Sequence, residues 1–265
     1  MKKIIAMLMA LMLVMSGIAV FTACDNTADE PETTTEATTE APASKVLKMA
    51  TNAYFQPYEF YEDGKIVGID AEIAAAIAAK LGMELEIVDM EFDSIITAVK
   101  EGSVDFGMAG MTITEDRLLE VDFSISYANG VQAIIVKEGS PITSVDDLYA
   151  EGASYKVGVQ LGTTGDIYAT GDFGSENVTT YANGNEAVLA LLGGSVDCVI
   201  IDNEPAKALV AANAGLTILE TAYANEDYAI CVNKENADLL AEINQAIMDL
   251  TADGTIDSII AKYIK

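Results

Sequence analysis

Val104-Asp105-Phe106-Gly107-Met108-Ala109-Gly110-Met111-Thr112-Ile113-Thr114-Glu115-Asp116-Arg117 carries the main clue to how this chain folds. The apolar run to Ala109 reads as a buried strand that a glycine ends, and the hydroxyl residues and acids that follow open a helix capped by Thr114. Such a turn gathers backbone N–H groups, a threonine hydroxyl and a guanidinium at the carboxyl end of a strand, which suits a small carboxylate. Taken alone, Thr114 is an ordinary cap and Arg117 an ordinary surface arginine. The composition argues for more: lysine and arginine total 14, and Arg117 is the only arginine among them. A planar, bidentate donor placed once, one short turn after a Gly-x-Thr turn, points to a specific anion.

Outward from this stretch the chain alternates strands and helices. Before it, Val46 to Ala50 and Leu85 to Val88 read as strands, Ala71 to Leu81 as an alanine-rich helix closed by Gly82, and Asp93 to Lys100 as a helix. Val104 to Ala109 is then the third strand. After it, Tyr155 to Val159, Val178 to Tyr181 and Val196 to Ile201 read as strands, with helices over Thr163 to Ala169 and Asn185 to Leu192. Regular β-α-β alternation implies an α/β fold with mostly parallel sheets and helices on both faces, binding ligands beyond the carboxyl ends of the strands.

The two halves also match in their letters. Ala98-Val99-Lys100-Glu101-Gly102-Ser103-Val104-Asp105 aligns with Ala190-Leu191-Leu192-Gly193-Gly194-Ser195-Val196-Asp197, a helix end, a glycine stop and a new buried strand in both. In that register Gly110 falls opposite Asp202. Two lobes facing across a cleft would set Arg117 and the Gly110–Thr112 turn against the Asp202 carboxylate, a pairing suited to a zwitterion. Asp202 also fits a helix N-cap ahead of Asn203-Glu204-Pro205-Ala206, and the two roles are compatible. The turn Gly158 to Gly165 offers further N–H donors but lacks the Lys-Ser/Thr ending of a Walker loop. Near the end, Leu239, Leu240, Ile243, Ile247 and Leu250 recur at helical spacing between Ala237 and Thr251 and read as core packing, followed by a last amphipathic helix over Asp257 to Ile264.

With 265 residues the chain has room for two modest lobes. Its formal net charge of −28 leaves no basic stripe for nucleic acid, and the absence of histidine removes Ser-His-Asp and Cys-His nucleophiles and every His-containing metal site. No cofactor and no metal are expected. Cys198 and Cys231 sit in apolar β-like runs and read as two free, buried thiols, a disulfide being the alternative in an exported chain.

The amino-terminal segment is of another kind. Met1-Lys2-Lys3, the apolar run Ile4 to Ala23 and the ending Phe21-Thr22-Ala23-Cys24 form a lipoprotein signal peptide over 1–23, with Cys24 the lipidated first mature residue. An uncleaved membrane anchor is the alternative, and either tethers the chain outside the cell membrane. Residues 24–44 are rich in Thr, Glu, Ala and Pro and cannot bury a core, so they read as a disordered tether reaching ~25 Å.

With these residues in hand, the chain from about Val46 to Ile264 resembles the extracytoplasmic solute-binding proteins of ABC transporters for polar amino acids, family 3. The resemblance rests on Ala50 to Phe60, Gly64 to Asp70, Gly110 to Arg117, Val121-Asp122-Phe123-Ser124, Gly162-Thr163-Thr164 and Ala252-Asp253-Gly254-Thr255, in that order and spacing. It implies a periplasmic-binding-protein-like fold of two lobes joined by a two-strand hinge, lobe 1 at 45–132 and 226–265 and lobe 2 at 133–225. It also implies a monomeric receptor that closes on an L-amino acid and delivers it to a membrane permease, with no chemistry. Matched by position, Arg117 would clamp the ligand carboxylate, helped by Thr112, the Gly110 backbone and Thr163, and Asp202 would take the ammonium. Phe55 and Phe92 would wall the side chain, while Asn52 and Gln160 match positions that vary with ligand polarity. Asn52 stands where many relatives that bind lysine, arginine or glutamine have aspartate. The alternative from another class is an extracytoplasmic dehydratase-like enzyme, for which Glu204 and Glu59 are the acids at hand, neither with a sequence neighbour that would raise its pKa.

Overall fold

The computed structural model describes residues 45–220 and 222–265. The signal peptide, Cys24 and the tether expected from the sequence lie outside the described residues.

Two sheets organise the two lobes. In the first, neighbouring strands run Glu84–Asp89, Val46–Thr51, Phe106–Gly107, Cys231–Val232, Asp122–Phe123. In the second the order is Val178–Tyr181, Val157–Gln160, Cys198–Asp202, Ala128–Lys137, Leu216–Ile218. Ala224–Tyr228 pairs with the near half of Ala128–Lys137, Gln132 lying opposite Ala224 and Ala128 opposite Tyr228. A small three-stranded sheet from Tyr54 to Val67 completes the first lobe.

The sheets are mixed, which corrects the expectation of mostly parallel ones. Val46–Thr51 is parallel to both its neighbours, and Val157–Gln160 to both of its own. Ala128–Lys137 is antiparallel to every strand it touches, and Cys231–Val232 likewise. The β-α-β units supply the parallel pairs, since a parallel partner needs a helical crossover. The antiparallel pairs come from the chain passing between the sheets twice, out along Ala128–Lys137 and back along Ala224–Tyr228. The alternation pattern assigns neither strand, because both cross between lobes instead of sitting in a repeating unit.

The repeat read from the letters is a repeat in hydrogen bonds. Ser103 N donates to the Ala98 carbonyl at 3.1 Å and Ser195 N to the Ala190 carbonyl at 2.9 Å, each across a glycine in the left-handed region, Gly102 at φ 70° and Gly194 at φ 79°. Asp105 Oδ2 then accepts from Lys48 N at 2.7 Å, and Asp197 Oδ2 from Lys156 N at 2.8 Å. Each aspartate therefore ties the start of its strand to the start of the parallel strand beside it. Element ends shift by a few residues: the third strand narrows to Phe106–Gly107, a 3-10 turn over Phe92–Ser94 precedes helix Ile95–Lys100, and the helix after Thr163 runs Thr164–Phe173.

Helix Ile69–Leu81 places Ile69, Ile73 and Ile77 on one stripe, all without solvent exposure, and helix Ala237–Ala252 adds Leu239, Ile243, Ile247 and Leu250 to the same core. Each such side chain contributes about 2 kcal/mol on burial. Leu240 packs at the margin of this core, half-buried. Cys198 and Cys231 are free, buried in different sheets, and burial pushes each thiol up to about 12.

Candidate ligand-binding cleft

A narrow cleft lies between the lobes. Asn52, Phe55, Phe92, Gly110, Thr112 and Arg117 line it from the first lobe, and Gln160, Thr163 and Asp202 from the second, so every ligand-facing residue expected from the sequence borders one space.

Arg117 comes from the short helix Glu115–Glu120, whose start is capped as expected: Thr114 Oγ1 accepts from Arg117 N at 3.2 Å. Its guanidinium lies over the Phe92 ring at 5.4 Å. Nη1 donates to the Thr112 carbonyl at 2.6 Å and Nη2 to the Gly162 carbonyl of the other lobe at 3.0 Å. The planar fork is thereby fixed on two sides, with N–H groups to spare for an anion. Thr163 caps helix Thr164–Phe173, accepting from Asp166 N at 3.3 Å, and donates its hydroxyl to the Gln160 carbonyl at 2.8 Å.

Asp202 ends strand Cys198–Asp202 and is 1% exposed. Oδ1 accepts from Glu204 N at 3.1 Å, which is the N-cap read from the sequence; Oδ2 accepts from Val131 N at 3.0 Å and from the Tyr228 hydroxyl. Burial pushes its pKa up to about 6 against those three hydrogen bonds, with the Glu226 charge adding to the rise. Gly130 makes this packing possible, because a Cβ there would run into both the Tyr228 hydroxyl and Asp202 Oδ2.

Two expectations need correcting. Gly110 borders the cleft, but its N–H donates to Asp70 Oδ2 at 2.8 Å, so the amide is not a donor for a ligand. Tyr127 donates its hydroxyl to the same oxygen at 2.8 Å. Glu59, in turn, does have a partner that raises its pKa, and it is distant in sequence. Read as carboxylates, Glu59 and the facing Asp70 Oδ1 would be wholly buried with no donor between them. Burial first, then the Asp70 charge, hold Glu59 well above the usual carboxylate range, so its proton is shared with Asp70. Glu204, the other acid considered for chemistry, pairs with Lys207 at 2.6 Å instead.

The sequence reading misses Gln132, Glu226 and Tyr228 in the cleft wall. All three sit on the crossing strands. Glu59 and Ile200 also line the space.

A model of the bacterial extracellular solute-binding proteins, family 3, matches residues 47–265. The chain belongs to that family. Among relatives of the family, the arginine-binding extracellular protein ArtP of Bacillus subtilis (strain 168) is 32% identical over 228 residues, 83% of this chain and 86% of ArtP. A probable histidine-binding protein of Campylobacter jejuni is 30% identical over 244 residues, 91% of this chain and 92% of that protein. Among solved structures, an ancestral arginine-binding protein bound to arginine matches with a TM-score of 0.77 at 42% identity, covering 83% of this chain and 98% of that one. The fold is accordingly the two-lobe periplasmic binding protein fold, with the mixed sheets described above.

Proposed function

We propose that this solute-binding protein is the extracytoplasmic receptor of an amino-acid ABC importer. It captures an L-amino acid between its lobes and hands it to a membrane permease, acting as a monomer held to the membrane by lipid on Cys24. The lobes, 45–132 with 226–265 and 133–225, close as bodies about the two crossing strands, a hinge motion. Arg117 takes the α-carboxylate with Thr112 beside it, and Asp202 takes the α-ammonium. Phe55 and Phe92 wall the side chain. Relatives named for arginine and histidine support a polar or basic amino acid.

The single observation that carries this reading is a buried cation, Arg117, and a buried anion, Asp202, presented to one cavity from opposite lobes. Fixed opposite charges in a buried site bind a zwitterion through charge-assisted hydrogen bonds. They provide no acid poised over a leaving group, since the one protonated carboxyl in the wall, Glu59, is engaged with Asp70.

The test is a thermal-shift screen against the common L-amino acids after unfolding and refolding have removed carried-over ligand. A ligand present at a hundredfold its Kd adds about 2.7 kcal/mol, a clear rise in melting temperature. A folded protein that none of them stabilises would refute the assignment.

A further inference from the structure

Glu226 lies on the returning strand, opposite Gly130, with its side chain against the cleft and 5% exposed. Its Oε2 accepts from Gln132 Nε2 at 2.9 Å. Its Oε1 is buried without a hydrogen bond of normal geometry, although the Tyr168 hydroxyl and the Arg117 guanidinium both feel the Glu226 charge, and Gln132 Oε1 is likewise unpartnered. Because the Gln132 amide nitrogen faces Glu226, the atom it leaves over is an acceptor too. Two buried acceptors thus stand in the cleft wall without a hydrogen bond of normal geometry, a state that favours a ligand bringing donors to them.

The charges in the cleft make the same point. Arg117 is positive, Asp202 and Glu226 are negative, and Glu59 keeps its proton. A zwitterion matches Arg117 with its carboxylate and Asp202 with its ammonium; although Arg117 also feels the Glu226 charge, the occupied cleft keeps one net negative charge. A ligand with a second positive charge removes that deficit. Asn52 cannot, since its Oδ1 accepts from Gln160 at 2.9 Å and its Nδ2 donates to the Met90 carbonyl at 2.8 Å.

We infer that Glu226, braced by Gln132, is the residue that makes this cleft select amino acids with a cationic side chain over neutral ones of the same shape. The inference rests on the amino-acid-receptor reading and assigns the charge preference to the crossing strand, not to position 52.

The test is calorimetric titration of the refolded full-length chain, in detergent, with L-arginine and its uncharged isostere L-citrulline. The wild type is expected to bind arginine at least thirtyfold more tightly than citrulline. Glu226→Gln is expected to weaken arginine at least tenfold while changing citrulline less than threefold. Gln132→Met, measured alongside, removes the brace and the second acceptor and is expected to narrow the ratio in the same direction, which keeps the test available should Glu226→Gln not fold. Equal wild-type affinity for the two ligands, or parallel losses of both in the variants, would overturn the inference while leaving the receptor reading intact. A folded wild type that binds neither these nor any other common amino acid would overturn the receptor reading, and this inference with it.

Discussion

Asn52 Oδ1 accepts a hydrogen bond from Gln160 Nε2 at 2.9 Å, and the bond joins the two lobes across the cleft. With Arg117 Nη2 on the Gly162 carbonyl it forms a second polar link between lobes. Both links must break when the lobes part, so each adds to the closed arrangement in which a ligand is enclosed.

Removing the first link should therefore shift the population toward open lobes. Asn52→Ala is expected to raise the Kd of the bound amino acid about fivefold to tenfold, the equivalent of about 1 kcal/mol, and to lower the melting temperature of the ligand-free protein modestly, since the Nδ2 bond to the Met90 carbonyl is lost as well. Titration calorimetry checks this, and an unchanged Kd would show that the link is irrelevant to closure.

Arg117 cannot be replaced by another cation. Lysine keeps the charge but cannot serve the Thr112 and Gly162 carbonyls and an anion at once, nor lie flat over Phe92. Arg117→Lys is expected to weaken binding by roughly a hundredfold, about 2–3 kcal/mol, in a protein with unchanged circular dichroism. Retained affinity would mean that the ligand carboxylate sits elsewhere.

How much of this was legible beforehand depends on whether the signal is local. The β-α-β units, the Gly102 and Gly194 stops and the Thr114 and Asp202 caps are written in short windows, and the structure has them where the letters place them. Nine cleft residues were found because each follows a strand end or matches a motif. Gln132 and Glu226 were not found, since a strand crossing between lobes has no period of its own. The link from Glu59 to Asp70 was missed for a related reason: the carboxyls meet only after the small sheet folds onto helix Ile69–Leu81.

Binding should depend on pH through Asp202. Its pKa near 6 in the unliganded cleft means that the carboxylate is increasingly protonated below that value, while an ammonium ligand needs it ionised. Affinity is expected to be flat above about pH 7 and to fall towards tenfold per unit below pH 6. Stability runs the opposite way. A carboxyl whose pKa is raised on folding stabilises the fold below its unfolded pKa, and that contribution, about 3 kcal/mol at most for Asp202, is lost as pH rises through about 6. Calorimetry and thermal melts from pH 4.5 to 8 check both signs, and a constant Kd across that range would contradict the assignment of Asp202 to the ammonium.

The shared proton between Glu59 and Asp70 has its own signature. Glu59→Gln supplies a permanent N–H donor to Asp70 and is expected to alter stability by less than about 1 kcal/mol. Asp70→Ala strips the acceptor from Gly110 N and the Tyr127 hydroxyl and should cost about 3 kcal/mol, lowering the melting temperature by roughly 6–12 °C. If Glu59 were ionised instead, Glu59→Gln would remove a buried repulsion and raise the melting temperature markedly.

The most direct measurement is titration of the refolded protein with the amino acid that stabilises it most in the screen, alongside Arg117→Ala and Asp202→Asn. One ligand per chain, with heat of binding lost in both variants although each still folds, is the expected result. Binding of undiminished strength in either variant would contradict a cleft built on opposite charges from opposite lobes.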